Sequence, residues 1–253
     1  MRRGIFVAPF GELADPRVLA EVAARAEARG WDGFFVWDHM LYDEVAAIAD
    51  PWVALAAVAT ATRSLRIGPL VTPLARRRPQ KLAREAATLD LLSGGRLVVG
   101  LGLGGDRGGE LSRFGEEADP RARGALLDTG AELLDAWWRG EEAAGVRLLP
   151  RPAQRPRIPI WLAARWPNRR PVRRAARYDG LFPIGLEHPD QLAELVAEVD
   201  ALRDAAAGPF DHVVTGDPGD DPAPWASAGA TWWLAGFGRH PSRAAVEAAI
   251  DAG

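Results

Sequence analysis

The chain has 253 residues, 48% of them hydrophobic and 26% charged, with a net charge of −3 and no cysteine. Such a chain reads as a single globular domain over residues 1–253; disulfides, thiolate metal sites and thiol catalysis are excluded, and the charge balance gives no global attraction for nucleic acid or anionic membranes. The apolar start is too short for a signal peptide and no apolar run approaches the ~20 residues of a membrane span, so a cytoplasmic protein is expected.

In chain order, an apolar run over residues 4–8 ends in Pro9, and Asp15-Pro16 opens a helix that Gly30 closes near Arg29. A second strand over 31–37 exits into Asp38-His39, and Asp50-Pro51 caps a helix reaching Thr62. The stretch 66–105 reads as strand, helix and strand. A β-rich run stops at Thr72-Pro73, Pro79 suits a first helical turn, and Leu82, Ala83, Ala86, Ala87 and Leu89 recur at helical spacing until Ser93-Gly94-Gly95. A buried strand over 96–101 then opens into Gly102-Leu103-Gly104-Gly105.

After a polar loop, a helix is predicted over 120–138, a fifth strand over 158–163 and an arginine-rich helix over 168–178. Residues 179–184 form the sixth strand, followed by a helix from Pro189 to about Ala206; 210–215 form the seventh, with a short helix over 222–227. A last strand over 230–235 and a helix over 242–252 complete eight strand–helix units. That regular alternation predicts a (β/α)8 TIM barrel.

In such a barrel the site is built where strands exit at their C-terminal ends, which places Gly94-Gly95-Arg96 on the opposite, structural face. His39 is the strongest acid–base candidate, since imidazole titrates near neutral pH and follows Asp38 at an exit; a histidine that merely holds its loop is the competing reading. His188, His212 and His240 read as caps or surface groups, and no pair has metal-ligand spacing. The glycines over 100–105 match a dinucleotide fingerprint formally, but Asp106 to Gly109 favours a loop where a helix should begin. Those glycines either admit a flat ring or make a tight turn. Arg165 and Arg169 suit an anionic cofactor tail, against the commoner role of arginine on a solvated helix face.

Taken together, Arg66-Ile-Gly-Pro-Leu-Val-Thr-Pro, Glu85-Ala-Ala-Thr-Leu-Asp90, Leu92-Ser-Gly-Gly-Arg-Leu, Gly100-Leu-Gly-Leu-Gly, Trp37-Asp38-His39 and Ala175-Ala-Arg-Tyr-Asp-Gly-Leu-Phe-Pro183 resemble the bacterial luciferase-like group of flavin- and deazaflavin-dependent oxidoreductases and monooxygenases. The resemblance implies a barrel that binds FMN or F420 at its mouth and acts on a small-molecule substrate, with homodimers common in the group. Leu70, Val71 and Thr72 fall where such proteins place a bulge with a non-prolyl cis peptide beneath the ring. Asp38 and His39 fall at the catalytic position, Leu103 and Gly104 beside the ring or its tail, and Ala163, Ala164 and Arg165 at the phosphate side. Alanines stand at 163 and 164 where the group carries glycines, and the lid segments are short. A barrel that binds flavin or a partner without turnover is therefore the alternative reading.

Overall fold

A computed structural model describes residues 1–45, 47–204 and 207–253. Its strands are β1 (Arg2–Val7), β2 (Gly33–Val36), β3 (Arg66–Pro69), β4 (Thr72–Pro73), β5 (Val99–Gly102), β6 (Ile160–Arg165), β7 (Gly180–Ile184), β8 (Asp211–Gly216) and β9 (Trp232–Gly236). Its helices are α1 (Pro16–Ala28), α2 (Pro51–Ala61), α3 (Pro79–Leu92), α4 (Pro120–Arg139), α5 (Arg170–Ala175), α6 (Pro189–Leu202), α7 (Ala223–Ser227) and α8 (Arg243–Ala252). The predicted end of α6 at Ala206 lies outside the described residues.

Local chemistry explains where the helices begin. Asp15 accepts from the Arg17 amide, Asp50 from those of Trp52 and Val53, and Asp119 from that of Ala122, each followed by a proline in the first turn. At the far end of α4, Gly140 takes a left-handed conformation (φ 83°) that ends the helix.

All strand neighbours are parallel, in the order β3-β2-β1-β9-β8-β7-β6-β5-β4. The ring closes where Val98 donates to the Ile67 carbonyl (2.9 Å) and Ile67 to that of Arg96 (3.1 Å). β3 and β4 are therefore two pieces of one barrel position, and the fold is the (β/α)8 barrel.

The break between them is the main departure from the sequence pattern. The third strand was predicted to run unbroken to Thr72; instead it interrupts at Leu70-Val71, whose peptide is cis, and resumes through Pro73. Its first piece pairs with β2, and its second pairs with β5 by Thr72 to Leu101 and Pro73 to Gly102. Small residues on β5 make room for this step. A Cβ at Gly100 would lie 2.5 Å from the Pro69 carbonyl oxygen, and one at Gly102 2.5 Å from Val71 Cγ2.

Strand side chains alternate between two cores. Ile5, Val7, Phe34, Ile67, Leu101 and Leu162 face the helices, whereas Phe6, Phe35, Val98, Trp161, Phe182 and Trp232 fill the barrel. At the N-terminal end, Arg96 donates to the Ala59, Thr62 and Leu65 carbonyls, satisfying the end of α2 as a structural arginine should. No helix among the described residues is long and apolar enough to cross a membrane.

Candidate active site

Polar groups converge where β2, β4 and β5 exit the barrel. Asp38, directly beyond Trp37, is 2% exposed and accepts from Thr72 Oγ1 (2.8 Å) and from Arg77 at both carboxylate oxygens (3.0 Å each). Arg76 contacts the same carboxylate, donates to the Asp38 carbonyl (2.9 Å), and reaches Glu110 Oε2 at 3.1 Å. Glu110 also accepts from the Met40 amide (3.1 Å) and lies 3.0 Å from His39 Nδ1.

Two carboxylates and two guanidiniums thus form one neutral network. The side chains of Asp38, Arg76 and Glu110 are at most 4% exposed, so their charges are balanced within the protein and not by water. With Glu110 accepting, Nδ1 of His39 carries the hydrogen. Nε2, which has no partner among the described residues, is then the basic nitrogen. The imidazole is 27% exposed and borders Tyr42 (4.9 Å between ring centroids), Trp37 (5.8 Å) and Phe10 (6.2 Å).

The loop behind β5 delivers Glu110. Asp106 accepts from the Leu111 and Ser112 amides (2.8 and 3.0 Å), and the hydrogen bonds from Ser112 and Leu111 hold its carboxyl below the usual range. This short closed turn points Glu110 inward together with Leu111, while Arg107 and Ser112 on either side are exposed. Arg76, Arg77 and Glu110 were not singled out as site residues from the sequence. Arg76 and Arg77, just beyond the third exit, read more readily as part of a solvated, salt-bridged helix face, and Glu110 sits in irregular chain without periodicity; its only visible cue is a glutamate soon after the glycine run.

The remaining predicted residues divide by position. Leu70 is buried in the barrel interior, while Val71 and Ala163, with Trp37 and Ile184, form its half-buried upper edge. Thr72 is fully buried and serves Asp38. The carbonyls of Leu103 and Gly104 are occupied by Arg123 Nη1, at 3.1 and 2.9 Å. Ala164 turns its methyl into the outer core, leaving only its backbone for a ligand.

Of the two candidate arginines on the fifth unit, Arg169 is committed to Glu194 (2.7 Å) and Glu198 (3.1 Å) on α6, whereas exposed Arg165 forms no ion pair among the described residues. His212, expected as a cap or surface group, is instead a buried residue of β8. No group of three or more metal-ligating side chains occurs among the described residues.

This mouth suits a flat heterocycle with an anionic tail. Its upper edge is apolar and half-buried, and among the described residues the buried Trp37 Nε1 has no hydrogen-bond partner and Arg165 no ion pair.

The family model for luciferase-like monooxygenases matches residues 1–223. A phthiodiolone/phenolphthiodiolone dimycocerosates ketoreductase from Mycobacterium sp. strain JLS is 34% identical over 229 residues, covering 76% of this chain and 58% of the relative. An F420-dependent glucose-6-phosphate dehydrogenase from Amycolatopsis mediterranei is 33% identical over 169 residues, covering 62% of this chain and 50% of the relative. The chain thus spans only half to three fifths of these curated relatives. Among solved structures, an F420-dependent secondary alcohol dehydrogenase in complex with an F420-acetone adduct superposes with a TM-score of 0.79 at 19% identity, covering 99% of this chain and 96% of that one, a likeness of fold.

Proposed function

The chain belongs to the luciferase-like monooxygenase family, and from that premise we propose that it is an F420-dependent oxidoreductase, with FMN as the alternative cofactor, acting on a small organic substrate at the barrel mouth. The observation that carries this reading is the His39–Glu110 pair, a half-exposed imidazole held by a buried carboxylate (3.0 Å) at a strand exit. The name of one curated relative, an F420-dependent glucose-6-phosphate dehydrogenase, favours F420.

Each residue then has a defined task. Leu70, Val71 and Ala163 floor the ring, the Leu103-Gly104 backbone borders it, and Arg165 meets the anionic tail. When bound, the cofactor supplies a two-electron donor or acceptor. His39 Nε2 takes the proton from a substrate hydroxyl, or returns it in the reverse direction, and Glu110 stabilises the imidazolium that forms. Asp38 is a positioning residue: it anchors Arg76 and Arg77, and Arg76 in turn fixes the place of the Glu110 carboxylate. The homodimer implied by the family resemblance belongs to the same reading.

Side-by-side titration of the purified protein with F420 and FMN tests the assignment. A saturable spectral change with F420, at lower concentration than with FMN, is the expected result. Failure to bind either at saturation would sink the proposal, and tighter FMN binding would reassign the cofactor.

A further inference from the structure

Two cations meet at Tyr42 for which the mechanism above has no use. Arg107, in the loop behind β5, donates to the Tyr42 hydroxyl at 3.3 Å. Arg239, in the loop behind β9, places its guanidinium carbon 5.9 Å from the centre of the same ring. With β3 and β4 counted as one position, β5 and β9 stand opposite each other in the ring of eight. Their exit loops nevertheless bring both arginines to one side chain on the loop behind β2.

Neither guanidinium forms an ion pair among the described residues, although most arginines in this chain that approach an acid do so within 3.1 Å. The nearby acids are differently engaged. Asp106 accepts from the Leu111 and Ser112 amides, whereas the Asp43 carboxylate lies beside Gly108 and forms no ion pair with either arginine among the described residues. Two like charges gathered on one phenol repel each other, and an oxyanion between them relieves that repulsion while accepting directed hydrogen bonds. Tyr42 also packs edge-on against His39, with ring centroids 4.9 Å apart at 84°.

From this juxtaposition we infer that Arg107 and Arg239 form a subsite for an oxyanion of the substrate, a phosphate ester or carboxylate, seated over Tyr42 beside the proton-transferring imidazole. The inference rests on the proposed function for its substrate. The cofactor tail, the other source of such an anion, is assigned to Arg165 on β6. Specificity follows from the geometry: the subsite favours substrates whose anionic group lies close to the reacting hydroxyl or carbonyl, and disfavours neutral ones.

The test uses inorganic phosphate as the probe, at constant ionic strength, read by the His39 imidazole resonances of histidine-labelled protein. Wild type should show a saturable shift, and the R107Q/R239Q double variant should bind roughly tenfold or more weakly, with F420 affinity unchanged. No saturable shift in wild type, or equal binding by the double variant, overturns the subsite. Loss of phosphate binding once F420 is saturating assigns the pair to the cofactor and overturns its substrate role. Should F420 fail to bind at all, the proposed function falls, while the phosphate comparison still decides whether the arginine pair holds an oxyanion.

Discussion

Glu110 grips His39 across 71 positions of chain, with 3.0 Å between Oε1 and Nδ1. The contact fixes which imidazole nitrogen is basic, because an ionised carboxylate can only accept. In Glu110→Gln the amide group brings a donor toward Met40, His39 and Arg76, all donors in the native arrangement. Turnover is expected to fall roughly ten- to a hundredfold with F420 affinity kept, and 15N spectra should show His39 as a mixture of tautomers. His39→Ala goes further: it should bind cofactor normally and lose roughly 10²- to 10⁴-fold in rate. Normal turnover by that variant would remove His39 from the chemistry.

Arg76 is the bridge between the two buried carboxylates. Replacing it with methionine preserves much of the side-chain volume but leaves Glu110 without its guanidinium and Asp38 with Arg77 alone. Removing one partner from a buried charge network is expected to cost about 3 kcal/mol, read by urea unfolding at neutral pH. Arg76→Lys should recover part of that loss, since a single ammonium cannot serve both carboxylates as the forked guanidinium does. A cost below about 0.5 kcal/mol for Arg76→Met would mean that water already carries these charges.

These two residues also show what the sequence could and could not reveal. The barrel was legible because punctuation is local: Asp15 and Asp50 cap helices next to themselves in the chain, and Gly30, at φ 81°, follows the end of one. Asp38 and His39 were legible because they directly follow a strand. Glu110 was not, since its meaning depends on partners 34 and 71 positions away, and irregular loops carry no period from which to read direction. The break at Leu70-Val71 left no periodic trace either; only the family resemblance anticipated it.

The glycines within and just beyond β5 have separate roles that substitution should expose. At Gly100 a Cβ would meet the Pro69 carbonyl oxygen and Leu70 Cδ2, each at 2.5 Å, and the backbone oxygen cannot step aside cheaply. Gly100→Ala should therefore destabilise the fold by about 1–3 kcal/mol and weaken F420 binding by displacing the Leu70-Val71 step. At Gly105 nothing lies within 4 Å of the added methyl, so Gly105→Ala should stay within about 0.5 kcal/mol of wild type. Thermal unfolding of both variants, followed by cofactor titration, makes the comparison. Equal effects at the two positions would contradict the packing account.

His212 gives the fold a built-in acid limit. It is 6% exposed, its buried Nδ1 has no partner among the described residues, and burial pushes its pKa down from 6.5 to about 4, against a smaller upward pull from Asp200 and a further downward push from Arg203. The folded chain keeps this ring neutral at pH values where the unfolded chain has already protonated it. Its contribution to stability is thus complete above pH 6.5 and is lost as pH falls toward 4. Between pH 7.5 and 5 the loss should reach about 2 kcal/mol. Urea unfolding of wild type and His212→Gln across that range isolates the effect, because the other titrating groups are common to both. The glutamine variant should show the shallower decline; parallel curves would mean that His212 is hydrated or finds a proton acceptor in the folded state.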